Sequence, residues 1–183
     1  METWGLKPPP PKEIRAEGMR VSADRYALFP GRGIQENMKI HLPDGMKSAS
    51  DPIAEILRGS KTIAVVGLSA NPRRPSHEVA EYLQRVGYRI IPVNPNEREV
   101  LGEKAYARLE DVPDQVDIVD IFRRPAEVGP VVDSAIGVGA KVVWMQLGIE
   151  DGVAAENARG RGLIVIEDAC MLVEHKRRRG GKR

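Results

Sequence analysis

Two pairs of arginines, Arg73-Arg74 and Arg123-Arg124, each follow a short apolar run. A guanidinium presents its N–H donors in a fixed fork that matches phosphate oxygens. The first pair lies in the segment GLSANPRRPS, from Gly67 to Ser76. Gly67 allows close backbone approach as the run ends. Ser69 and Ser76 add hydroxyls, and Ser76 is expected to cap a following helix. The free N–H groups and positive dipole end of such a helix favour phosphate. The second pair lies in Phe122-Arg123-Arg124-Pro125, where Phe122 could pack on a nucleobase. A plain helix cap and solvated arginines are the competing readings, but four cations on two turns favour an anionic, multiply phosphorylated ligand.

Other chemistries lack their residues. A G-x-G-x-x-G dinucleotide fingerprint would need glycines where Ser69 and Pro72 stand, and no G-x-x-x-x-G-K-[ST] phosphate loop occurs. Where NAD enzymes place a ribose-binding carboxylate, this chain has Asn94-Pro95-Asn96, with Glu97 slightly late. The segment around Ser69 lacks the last glycine of a nucleophile elbow. His41, His77 and His175 are scattered, and no pair has metal-ligand spacing. Cys170 follows Asp168 past the last apolar run. It would be reactive if its thiolate were stabilised, and is otherwise a small buried thiol. Asp117 and Asp120 read as a strand start and a polar contact rather than an acid–base pair.

The elements that must position these residues alternate. Asp51 can N-cap a helix over 51–59, with Pro52 in its first turn and Ile53, Ile56 and Leu57 on one face. Short β-branched runs at 61–67, 88–93, 116–122, 141–147 and 163–167 read as buried strands. Between them, 76–86, 128–136 and, more weakly, 151–159 carry helical periodicity, clearest in Val128, Val131, Val132, Ala135 and Ile136. Strands joined by helices need crossovers, so the expected fold is α/β, a Rossmann-like, doubly wound, mainly parallel five-stranded sheet with helices on both faces. Taking the strand order as 3-2-1-4-5, a ligand crevice lies at the carboxyl ends where strands 1 and 4 part. This selects 67–76, 94–96, 122–125, 146–148 and 168–170.

Charge is unevenly divided along the 183 residues, whose formal total is +2. Residues 1–47 hold 8 basic and 6 acidic side chains, 48–175 hold 14 and 20, and 176–183 hold 6 and none. The body is therefore acidic, which argues against a broad nucleic-acid surface. Residues 1–47, with Pro8 to Pro11, read as a disordered arm or a polyproline ligand for a partner, and 176–183 as a solvated basic tail. No apolar run approaches the ~20 residues of a membrane span. One cysteine and no signal-peptide layout point to the cytoplasm.

The blocks IAVVGLSANPRRPSHEVAEYLQ, GYRIIPVNPNEREVLGEKAY, VDIVDIFRRP, AKVVWMQLGI and EDACMLVEH resemble the CoA-binding domain family, small stand-alone proteins related to the N-terminal domain of the succinyl-CoA synthetase alpha subunit. The resemblance covers about 52–178 and implies a Rossmann-like, nucleotide-binding fold that holds coenzyme A along its strand ends. Carried over, it implies Gly67, Ser69, Arg74 and Ser76 in the first loop, Val93, Asn94 and Pro95 after the second strand, and Phe122, Arg123 and Arg124 after the third. It further implies Gln146, Gly148, Asp168 and Cys170, although Ala169 stands where the family has a basic residue. Arg73 joins this set from its position in the loop. The expected function is binding of CoA or acyl-CoA as a carrier, sensor or regulator without a catalytic constellation, with a homo-oligomer compatible with that role. The alternatives are an NAD(P)-dependent oxidoreductase and a protein-interaction module.

Overall fold

The structure is a computed structural model and describes residues 38–43 and 50–179. Most of the Pro-rich arm, including Pro8 to Pro11, and the last four residues of the basic tail lie outside the described residues.

A six-stranded sheet forms the centre. In chain order its elements are β1 (Lys39–His41), α1 (Pro52–Gly59), β2 (Thr62–Val66), α2 (Pro75–Arg85) and β3 (Arg89–Val93). A small hairpin of β4 (Glu99–Val100) and β5 (Glu103–Lys104) follows. Then come β6 (Ile118–Ile121), α3 (Val128–Gly137), β7 (Val142–Met145), α4 (Gly152–Gly160), β8 (Ile164–Glu167) and α5 (Met171–Arg179). The sheet runs β1-β8-β7-β6-β2-β3, parallel throughout except for β1, which lies antiparallel against β8.

The five parallel strands are those expected, but their order is not. Counting only them, the order is 2-1-3-4-5 rather than 3-2-1-4-5. Asp117 gives the physical reason. Its carboxylate accepts the backbone N–H groups of Lys61 (2.8 Å) and Thr62 (3.1 Å) and binds the Lys141 ammonium at 2.7 Å. The start of β6 is thereby fixed between β2 and β7, so the switch point falls between β2 and β6. The Lys141 contact and the two backbone bonds together hold the Asp117 carboxyl below its usual range against the opposing effect of burial.

Strand alternation sends Ala64, Val66, Val119, Ile121, Val143, Met145 and Val165 to one face, where they pack on Val132 and Ala135 of α3 and Ala155 and Ala158 of α4. The opposite face carries α1, α2 and α5. Burying Val79 and Leu83 of α2 there stabilises by roughly 1.5–3 kcal/mol each. Asp51 caps α1 by accepting the Ala54 N–H (3.1 Å), and Asp151 caps α4 through the Ala154 N–H (3.0 Å).

Both flanking segments contribute more than the sequence indicates. Within the expected arm, β1 is tied down by His41, whose Nε2 lies 2.6 Å from Glu167, and by a Lys39–Glu150 ion pair at 2.8 Å. Glu167 is buried, and its other oxygen accepts the Asp151 N–H at 2.8 Å. Within the expected solvated tail, residues to Arg179 are helical, and Arg178 donates to Asp51 and Glu174.

Candidate functional site

The end of β2 is tied to both neighbouring strands. The Gly67 N–H donates to the Val93 carbonyl (2.8 Å), and the Phe122 N–H donates to that of Val66 (2.9 Å). Gly67 has φ +93°, and a Cβ built there would lie 2.3 Å from the Phe122 carbonyl oxygen. Only glycine fits this close approach. Beyond it Leu68 is fully buried, so the loop is anchored at its base and turned outward at its tip.

The loop then holds itself by polar contacts. The Ser69 N–H donates to Ser76 Oγ (3.2 Å), Ser69 Oγ accepts the Asn71 N–H (3.2 Å), and Asn71 Oδ1 accepts the Arg73 N–H (2.9 Å). Ser76 is therefore not the cap of α2. Arg74 occupies that position, and its side chain makes no capping bond. Asn94 donates from Nδ2 to the Leu68 carbonyl (2.8 Å), and Glu97 accepts the Ala70 N–H (2.9 Å). The late carboxylate that could have held a ribose instead holds this loop.

The two arginine pairs sit on adjacent strand ends, because β2 and β6 are neighbours. Arg73 and Arg74 are exposed and make no side-chain ion pair among the described residues. Arg124 is also exposed, and its guanidinium meets Glu127 at 3.1 Å, which holds the Glu127 carboxyl below its usual range. Arg123 is half-buried and lines a cleft of about 530 Å3. Val66, Val93, Pro95, Leu109 and Val131 form apolar parts of that cleft, and Arg108 lies on it. Leu109, Val131 and Arg108 had no distinguishing mark as site residues. Val131 belongs to the helical stripe of α3, and only the return of the 109–111 turn beside that helix makes a cleft of them.

The remaining candidates form a second network between β6, β7 and β8. Gln146 donates from Nε2 to both oxygens of Asp120 (2.9 and 3.1 Å). Asp120 is fully buried, and burial pushes its carboxyl up to about 7 despite the Gln146 contact. A lone acid inside the run Ile118 to Ile121 was the signal for this site. Asp168, at φ +53°, accepts the Gly148 N–H at 2.6 Å, and the Ala169 carbonyl accepts the Trp144 indole N–H at 2.7 Å. Cys170 opens α5, and the Leu172 and Val173 N–H groups point to its sulfur. Burial outweighs them and pushes the thiol up to about 11. Cys170 is therefore a protonated, inward-facing thiol.

Gly67, Ser69, Ser76, Asn94 and Phe122 thus meet in one backbone knot, with Val93, Pro95 and Arg123 on the adjoining cleft. Gln146, Gly148, Asp168 and Cys170 lie at the ends of β7 and β8, where their polar atoms are engaged with the protein itself. Among the described residues, no group of His, Cys, Asp and Glu is arranged to hold a metal, and no helix is long and apolar enough to cross a membrane.

The uncharacterized protein YneT of Bacillus subtilis (strain 168) is 43% identical over 123 residues, which span 67% of this chain and 91% of that protein. A hypothetical protein from Pyrococcus horikoshii OT3 superposes with a TM-score of 0.67 at 40% identity, covering 72% of this chain and 98% of that one. The acetate–CoA ligase [ADP-forming] II of Archaeoglobus fulgidus is 36% identical over 74 residues, which cover 39% of this chain and only 11% of the ligase. The family model described as CoA binding domain matches residues 61–176, from the start of β2 into α5. With nearly the whole parallel sheet and its strand-end loops inside that match, the chain belongs to the CoA binding domain family.

Proposed function

We propose that the chain binds coenzyme A or an acyl-CoA at the carboxyl edge of the sheet, where β2 and β6 part. The observation that carries this reading is the loop after Gly67. It closes against the Phe122 backbone and brings Arg73 and Arg74, unpaired among the described residues, to the uncapped start of α2. CoA offers a pyrophosphate and a 3′-phosphate, which suit a helix start and several guanidiniums. The cleft supplies apolar walls for its uncharged parts, with Arg123 on the lining. These residues fit CoA better than NAD, because Glu97 is already engaged with Ala70.

The role proposed is that of a cytoplasmic carrier, sensor or regulator. Cys170 is held protonated and Asp120 faces Gln146, so neither offers an activated nucleophile or base to a bound thioester. Isothermal titration with CoA and acetyl-CoA tests the reading. An Arg74→Ala/Arg123→Ala variant should bind about 100-fold more weakly, taking roughly 1.5 kcal/mol for each charge-assisted hydrogen bond removed. Absence of binding to the folded wild-type protein, or equal affinity of the variant, would overturn it.

A further inference from the structure

A second cavity, of about 450 Å3, opens between α1 and α5 beside Tyr88. Tyr88 immediately precedes β3, so this cavity lies toward the amino-terminal edge of the sheet, away from the strand-end cleft. Ala54, Leu57 and Arg58 line it from α1, and His175, Arg178 and Arg179 from α5.

The cations there are not equivalent. Arg178 is matched: its Nε donates to both Asp51 oxygens at 2.9 Å, and its Nη1 donates to Glu174. Arg58 and Arg179 are exposed and make no ion pair among the described residues. Basic residues in the last turn of a helix complement its dipole, but that effect requires neither a cavity nor a buried imidazole. His175 is such an imidazole. It is only 9% exposed and stands edge-on to both Tyr82 and Tyr88, with ring centroids 5.6 Å apart in each case. Its Nδ1 lies 2.9 Å from the Tyr82 hydroxyl, while its Nε2 has no hydrogen-bond partner among the described residues. Burial, and then the Arg179 charge, holds the ring below its usual pKa, which favours the neutral form. In either neutral tautomer Nε2 is a buried polar atom without a partner among the described residues, and when the Tyr82 hydroxyl donates to Nδ1 it carries the ring proton as a donor left over. Such a donor keeps its desolvation penalty until an acceptor meets it.

We propose that this cavity is a second anion site, taking a phosphomonoester that carries an apolar group, with Arg58, Arg179 and His175 on its oxygens and Leu57 and Tyr88 against its apolar part. The proposal is independent of the CoA reading, because the two sites share no residue.

Phenyl phosphate titrated into the full chain is the probe, followed through the ring resonances of His175. The chain has three histidines, so the His175 signals are assigned by their loss in His175→Gln. A saturable shift is expected, weakened about 100-fold in Arg58→Gln/Arg179→Gln, the equivalent of one charge-assisted hydrogen bond from each arginine. Both arginines are exposed, and circular dichroism checks that the variant is folded. Arg73→Gln/Arg74→Gln should leave the titration unchanged. No saturable shift, a shift indifferent to the Arg58/Arg179 variant, or one abolished by the Arg73/Arg74 variant would each overturn the proposal.

Discussion

Replacing Asp120 by Asn should make the protein much more stable in mild alkali and only slightly more stable in mild acid. The Asp120 carboxyl is fully buried, with the Gln146 amide as its hydrogen-bond donor, and is pushed from 3.8 up to about 7. Between those values the folded chain keeps a proton that the unfolded chain has released. Stability therefore falls as pH rises through this window, and the loss is complete above the folded value. At about 1.4 kcal/mol for each pH unit of the window, the loss amounts to about 4 kcal/mol. The new carboxamide has no charge to desolvate, and Gln146 can turn its amide to accept from it. Urea unfolding at about pH 4.5 and about pH 8.5 should therefore find the variant ahead by only about 1 kcal/mol in acid, where the window has just been entered, and by about 4 kcal/mol in alkali. His175, whose pKa is lowered, contributes in the opposite sense, adding stability as pH rises. That contribution is common to both proteins and cancels in their difference. A gap between wild type and variant that is the same at both pH values would refute the reasoning.

Gly67→Ala should cost about 3 kcal/mol and weaken CoA binding, because its Cβ meets the Phe122 carbonyl at positive φ; thermal unfolding and calorimetry check both, and a neutral substitution would contradict the close approach. Cys170, with its thiol pushed up to about 11, should react with a disulfide reagent about 100-fold more slowly in the native protein than after unfolding. Equal rates would show the thiol to be open. His41→Ala removes the side-chain partner of a buried carboxylate and should weaken β1 docking by about 2 kcal/mol. Faster amide exchange over 39–41 would report it, and unchanged protection would refute it.

Periodicity and turn residues located the five parallel strands and four of the helices, because each buries a face whose spacing is written locally. Strand order was not legible in the same way. Which side of β2 receives β6 is settled by the Asp117 side chain reaching backbone groups 55 and 56 residues away. The run Lys39-Ile40-His41 is too short to carry a period, and its partners Glu150 and Glu167 are distant in sequence. Lys176 to Arg179 show only charge, yet Asp51 and Glu174 draw Arg178 into a helix. The loop from Gly67 to Ser76 stood out from its glycine, hydroxyls and arginines. The roles within it did not, since Ser76 serves Ser69 rather than capping α2.

The placement of β1 decides what shortening the chain from its amino-terminal side would expose. Met38 stands directly before the strand and Met46 follows it, so a variant shortened to begin at Met46 lacks all three β1 residues. In such a variant, backbone groups of β8 that pair with 39–41 are bared, and the His41 cover over Glu167 is gone. An uncovered sheet edge is a template for another chain's strand. A variant cut back to Met46 should therefore associate edge to edge, and one cut back to Met38 should not, so two variants of nearly equal length would differ in assembly.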